Sequence, residues 1–183
     1  MPVTTSLPLQ GVFVSDPVHS SFQFAVTHMQ VGRYRAGFDD FEVRVTAEAG
    51  TVQLEGTIEV ESISIKNPPQ FREHVVNGPD FFDATNHPTI SFRSGAVTLE
   101  GDGTFTGDGT LTMRGVSKDV AVVGTYQPLV EDPYGAQRTA VEFSSTVDRR
   151  DWGMDWQMPL PGGADALGYQ VVLTAHVELV QQA

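Results

Sequence analysis

The side chains best suited to acid–base or metal chemistry are five histidines: His19, His28, His74, His87 and His176. No two stand at the i,i+4 helical spacing or the alternate-residue strand spacing that would converge on one ion. The chain has no cysteine. Thiolate zinc sites, iron–sulfur clusters, disulfide frameworks and thiol nucleophiles are excluded together. No metal and no cofactor is therefore expected. Serines are plentiful, but no G-x-S-x-G elbow presents one as a nucleophile. Gly101-Asp102-Gly103 and Gly107-Asp108-Gly109 do not lead into a helix, so they read as turn and strand glycines rather than phosphate loops.

Two features keep chemical interest. His28 falls in the apolar register of its segment. It reads either as a buried histidine satisfied by one hydrogen bond or as a polar contact fixing a ligand group in a cavity. Arg149-Arg150-Asp151 precedes Trp152-Gly153-Met154-Asp155-Trp156. This cluster is either a surface ion pair with a tryptophan plug closing a barrel base, or a charged rim for an anionic head group.

The elements that must position these residues are strands, because period-two alternation dominates the chain. Over residues 51–63, Val52, Leu54, Gly56, Ile58, Val60 and Ser62 fall on one face and Gln53, Glu55, Thr57, Glu59 and Glu61 on the other. The same pattern marks Phe22, Phe24 and Val26; Phe41, Val43 and Val45; Ile90 and Phe92; Val97 and Leu99; Phe105, Leu111 and Met113; Val120 and Val122; Val141, Phe143 and Val147; and Val171, Leu173, Val177 and Leu179. A turn is expected at Ser94-Gly95. Turn-forming residues at 48–50, 101–103 and 131–135 separate other segments, about nine in all. Strands this long with one wet face favour closure into a barrel over an open sheet with exposed edges. Small residues in the apolar register (Gly56, Gly107, Gly109, Gly124, Ser20, Ser62 and Ser145) read as unfilled interior space or as bends. After Asn67-Pro68-Pro69 the pattern becomes helical, with Phe71, His74 and Val75 on one face. A short helical insertion is expected around residues 70–84. Residues 155–167 read as a long loop near a site mouth.

The 183 residues fit one domain, with a formal net charge of −12. That charge repels phosphate backbones, so nucleic acid is not an expected partner. No run approaches the ~20 apolar residues of a membrane span, and stable membrane insertion is not expected. Residues 1–8 have neither a basic n-region nor an apolar h-region, which gives a cytoplasmic expectation.

The residues also resemble a known family. Asp16-x-x-His19-Ser20-x-Phe22-x-Phe24-x-Val26-x-His28 and Gly37-Phe38-x-x-Phe41 resemble the opening of the YceI-like, lipocalin-like polyisoprenoid-binding proteins. Further matches are Ser62-Ile63-Ser64, Arg72-x-His74, Asp80-Phe81-Phe82-Asp83-x-x-x-His87-Pro88-x-Ile90-x-Phe92, Gly109-x-Leu111-Thr112-Met113-x-Gly115-Val116-Ser117-Lys118 and Asp148-Arg149-x-Asp151-Trp152-Gly153. The resemblance implies an all-β fold, an extended eight-stranded antiparallel barrel of lipocalin type. Its long apolar tunnel would bind an isoprenoid or fatty lipid. Many members are exported to the periplasm, and from residues 1–8 this chain is expected to depart from them in lacking a leader. The tunnel lining expected is Phe22, Phe24, Val26, His28, Phe41, Val43, Leu54, Ile58, Phe82, Ile90, Phe92, Phe105, Leu111, Met113, Phe143 and Leu173. Arg72, His74 and Arg149 are the head-group candidates. The expected function is lipid binding and transport rather than catalysis, and a homodimer is left open. The alternative is an enzyme acting on an apolar substrate with His28 or His74 as acid–base group.

Overall fold

The computed structural model describes residues 9–182; the leader expectation concerns residues 1–8, outside the described part. Eleven strands form one antiparallel sheet: β1 (Gly11–Ser15), β2 (Ser21–His28), β3 (Gly32–Phe38), β4 (Phe41–Glu48), β5 (Thr51–Glu59), β6 (Thr89–Leu99), β7 (Thr104–Met113), β8 (Val116–Tyr126), β9 (Val130–Glu131), β10 (Gln137–Asp148) and β11 (Leu167–Gln181). Helix α1 (Pro69–Asn77) interrupts them between β5 and β6. β11 pairs β10 along one edge, and β2 followed by β1 along the other. Because β2 pairs β3 while β1 pairs β4, β1–β2 and β3–β4 are each one bent stave. With β5, β6, β7, β8, β10 and β11 they close an eight-staved barrel, and β9 is a short flap on β10. Pairing of β10 with β11 closes the sheet on itself, which shortens the exposed ladder that an open sheet would present.

Local chemistry accounts for the joints. Ala49-Gly50 and Arg114-Gly115 have positive φ at both central positions of two-residue hairpins, the backbone twist that matches flanking strands. Pro69 opens α1 at its first turn, where a missing N–H costs nothing. The expected helix face is observed: Val75 is buried, and Phe71 and His74 lie beside it against the barrel mouth.

Four expectations are corrected. The strand of residues 51–63 ends at Glu59, and Val60–Ser62 form a 3-10 turn. The Ser62 hydroxyl donates to the Glu59 carbonyl at 2.7 Å, a local bond that competes with the ladder. Ser62 therefore leaves no interior space. Ser94-Gly95 is not a turn but a bulge within continuous β6. The Asp108 carboxylate accepts from Ala96 N–H at 3.2 Å, and Ser94 Oγ accepts from Leu54 N–H at 2.8 Å. The bulge lets the strand bend with its freed backbone groups satisfied. Gly109 and Gly124 are not gaps. A Cβ on Gly109 would lie 2.3 Å from the Phe92 ring, and one on Gly124 would lie 2.1 Å from the Glu142 carbonyl and 2.7 Å from the Phe105 ring. These glycines make room for neighbouring rings and backbone. Of the interior glycines expected to leave space, Gly56 does so, its Cβ position being 3.8 Å from the nearest atom. Finally, β1, β3 and β9 are strands beyond the segments that alternation marks.

The core has two parts. At the end away from α1, Leu9, Phe13, Val45, Ala175, Val177 and Leu179 pack together, with only a small void of about 40 Å³ beside Leu9 and Val45. Towards α1, Phe38, Val60, Ile63, Val76, Leu111, Met113 and Trp152 surround a more open interior. No helix among the described residues is long and apolar enough to cross a membrane.

Candidate functional site

The mouth end of the barrel holds a cavity of about 610 Å³. Its walls are β2 (Phe24, Val26, His28), β3 (Tyr34), β7 (Met113), β10 (Val147) and β11 (Val171, Leu173). Its roof is α1, Phe81 and Phe82 after it, and Met154, Trp156, Ala166 and Leu167 of the β10–β11 loop. The size matches cavities that hold one small organic ligand, ~300–1,000 Å³. Polar groups stand mainly at the rim. His74 packs edge-on against Phe81 at 5.1 Å and Trp156 at 6.1 Å. Burial raises the Tyr34 phenol above its ordinary pKa, so it stays neutral at physiological pH.

Arg149 holds the roof in place. It is 4% exposed. Its Nε donates to the Gly168 carbonyl at 2.9 Å, and its Nη2 donates to Trp156 at 2.8 Å and Leu167 at 3.3 Å. Nη1 donates to the Met154 carbonyl. The turn that carries it is built by Asp148, whose carboxylate accepts from Arg150 N–H at 3.0 Å, and by Gly153 in the left-handed conformation. Arg149 forms no salt bridge with the described carboxylates; Asp148 pairs instead with Arg150 at 2.6 Å. Desolvation pulls the Arg149 pKa below its ordinary value, opposed by Tyr169, Asp148 and Asp155. The cavity wall thus contains a buried cation balanced mainly by carbonyl dipoles.

Every residue expected to line the interior does border a hollow, but there are three hollows. Phe24, Val26, His28, Phe82, Met113 and Leu173 line the large cavity. Phe22, Phe41, Val43, Leu54, Ile58, Ile90, Phe92, Leu111, Phe143 and again Leu173 surround a void of about 50 Å³ deeper in the barrel. Leu54, Phe92, Phe105 and Phe143 border a third of about 40 Å³. The hollows share lining residues: Leu173 borders the large cavity and the deeper void, and Leu54, Phe92, Val122 and Phe143 border both smaller voids. Beside them the buried Phe38 ring packs with Phe22, Phe24 and Phe82, centroid to centroid at 6.1, 5.9 and 5.8 Å.

Arg72 is not at the cavity. Its Nη2 donates to the Glu61 carboxylate at 2.9 Å and to the Glu61 carbonyl at 2.5 Å, which holds it on the outer side of α1. His28 is exposed at the rim rather than buried. His28 and His74 make no side-chain hydrogen bond to a carboxylate among the described residues; His19 and His176 do, with Asp16 and Glu142, on the outer surface. Among the described residues, neither cavity histidine is paired with a carboxylate. Trp152 is the buried plug, its indole N–H donating to the Leu111 carbonyl at 3.3 Å. Sequence reasoning missed Tyr34, Phe71, Phe81, Met154 and Trp156 as lining. For Phe81, Met154 and Trp156 the available signal was large apolar residues in segments without period; Phe71 lies on the α1 face and Tyr34 on β3.

A closed antiparallel barrel with an apolar interior cavity roofed by a helix and a loop defines a lipocalin-type architecture. The YceI-like domain family model matches residues 13–179, and the chain belongs to that family. The UPF0312 protein SA2479 of Staphylococcus aureus (strain N315) is 28% identical over 173 residues, covering 91% of this chain and 95% of the relative. The crystal structure of Burkholderia cenocepacia BcnA superposes with a TM-score of 0.73 at 18% identity, over 90% of this chain and 98% of that one. A polyisoprenoid binding domain from Saccharophagus degradans, implicated in plant cell wall breakdown, gives 0.68 at 12% identity, over 93% and 98%.

Proposed function

We propose that the chain binds and carries, or sequesters, one long-chain apolar ligand in the barrel, a polyisoprenoid or similar amphiphilic lipid. The observation that carries this reading is the roofed cavity of about 610 Å³ with an almost wholly apolar wall. Each buried methylene contributes ~0.8 kcal/mol, so a chain of about ten carbons contributes about 8 kcal/mol, enough to exceed an association cost near the lower end of the ~4–15 kcal/mol range. The tail lies among Phe24, Val26, Met113 and Val171. The polar end stays near His74, Trp156 and the Arg149 guanidinium, which favours a head with acceptor oxygens. The polyisoprenoid-binding domain of Saccharophagus degradans supports the choice of ligand class, through its shared architecture. A reaction would need a second catalytic group beside a cavity histidine, and the geometry favours binding over it.

Native mass spectrometry of protein purified without detergent tests this, with organic extraction of the same sample. A stoichiometric long-chain adduct is expected. Protein that is repeatedly empty, and that also fails to take up cis-parinaric acid, would sink the reading.

A further inference from the structure

Apolar side chains left in water gather at the rim of the large cavity. The tip of the β2–β3 hairpin exposes Met29 and Val31, α1 exposes Phe71, and the β10–β11 loop exposes Met158. Backbone bonds bring the loop to the hairpin. Met29 N–H donates to the Ala166 carbonyl at 2.6 Å, and Ala166 N–H donates to the Met158 carbonyl at 3.1 Å. Gln30 Nε2 donates to the Asp165 carbonyl at 2.7 Å. Phe71 meets β3, its ring edge-on to Tyr34 at 5.9 Å. Met29, Tyr34, Phe71 and Ala166 also line the cavity, so this arc borders its entrance.

The charge changes at the same place. Residues 17–38 contain no aspartate or glutamate, in a chain with 23. Arg33 and Arg35 are exposed on β3, on the face opposite Tyr34. Arg72, Arg93, Arg138 and Arg150 are tied to carboxylates, whereas Arg33 and Arg35 pair with none among the described residues. The loop side carries Asp155 and Asp165, both exposed. Apolar tips flanked by arginine fit an acyl boundary beneath a layer of phosphates. A surface whose phosphates are paired with ammonium groups accepts both signs of this rim, and it does not repel a chain of net charge −12.

We propose that Met29, Val31, Phe71 and Met158, with Arg33 and Arg35, seat the cavity mouth reversibly on a zwitterionic phospholipid bilayer, where ligand passes between membrane and barrel without crossing water. The contact deepens the binding reading above, on which its transfer step rests. The chain has no cysteine, so Val31→Cys, at a side chain 89% exposed, carries a single acrylodan label. Its emission shifts to the blue on phosphatidylcholine vesicles. A label at Tyr134→Cys, 94% exposed between β9 and β10 at the far end, does not move. Transfer of cis-parinaric acid from the unaltered protein to such vesicles speeds up in proportion to vesicle concentration, because collision replaces release into water. Val31→Asp/Met158→Asp changes two residues outside the cavity lining. It binds parinaric acid in solution as before and transfers it about tenfold more slowly. Arg33→Glu/Arg35→Glu slows transfer about threefold. Transfer independent of vesicle concentration overturns the proposal. So does a label at position 31 that stays in water on these protein-free vesicles, the result expected if the rim meets a partner protein instead. A shift at position 134 equal to that at 31 overturns the orientation. Failure of parinaric acid to bind defeats the binding reading instead, and the acrylodan labels still decide whether the rim meets a bilayer.

Discussion

At the scale of single residues, Arg149 has the most to satisfy. A buried guanidinium costs free energy unless its donors are used, and here they bond to four carbonyls across the β10–β11 loop and the start of β11. The same bonds hold Met154, Trp156 and Leu167 over the cavity. Gln157 reinforces the loop through both its amide atoms and Leu167. Arg149→Met keeps the aliphatic stem but leaves those carbonyls without their donor. The expected loss is about 3 kcal/mol, seen as a lower urea midpoint at unchanged slope. Arg149→Lys should recover less than half, because one ammonium cannot span the planar fork of acceptors. A loss below about 1 kcal/mol would mean that other contacts hold the roof. Uptake of cis-parinaric acid should fall with the stability in Arg149→Met.

At the scale of elements, the joints between strands depend on charge. Where β1 breaks from β2, Arg138 of β10 donates to Asp16 at 2.9 Å and Glu178 of β11 at 2.6 Å, while its Nε donates to Asp132 of the β9–β10 turn at 2.7 Å. Arg138, followed by His19 and the Val18 N–H, holds the Asp16 carboxyl far below the usual carboxylate range. Asp132 is lowered by Arg138 first and the Ala136 N–H next. A carboxyl depressed in the folded state adds stability above its unfolded pKa, near ~4. That contribution is lost as pH falls through the lowered folded value. The urea-midpoint difference between the unaltered chain and Arg138→Met should thus be flat above about pH 5, shrink below about pH 4 and vanish where both carboxyls are protonated. A gap constant from neutral pH to strong acid would show that Arg138 acts through packing of its stem alone. Much at this scale was legible in the sequence. Strands with Val, Ile and Phe on alternate residues were readable because one face is wet. β3 was not, since Tyr34, Ala36 and Phe38 offer few large side chains between Arg33, Arg35 and Gly37. The bulge at Ser94 and the turn at Ser62 depend on side-chain partners in the folded chain, which periodicity does not report. The site was half legible for the same reason. Inward strand residues follow from register, whereas the roof arises where α1 and the β10–β11 loop fold over the barrel mouth.

At the scale of the whole molecule, the barrel is far more closely packed at one end than at the other, and this asymmetry should govern both its stability and its response to ligand. Phe13, Val45, Ala175, Val177 and Leu179 are no more than 1% exposed at the far end, where opening requires disrupting close packing. The mouth end has about 610 Å³ without partner atoms, and its roof is a nine-residue helix and a loop. Local opening has a free energy that follows the density of buried contacts. In the ligand-free protein, amides of residues 69–77 and 153–168 should therefore exchange faster than those of β10 and β11 around Val141 and Val177. A ligand present at about a hundred times its Kd stabilises the folded state by about 2.7 kcal/mol. It supplies the missing contacts to the roof, so mouth-end protection should rise towards the global value and the spread between the two ends should narrow. Hydrogen exchange with and without bound hexadecanol measures this directly. Uniform protection in the free protein, or a ligand that slows only the far end, would contradict a cavity at the mouth as the place where the chain is held.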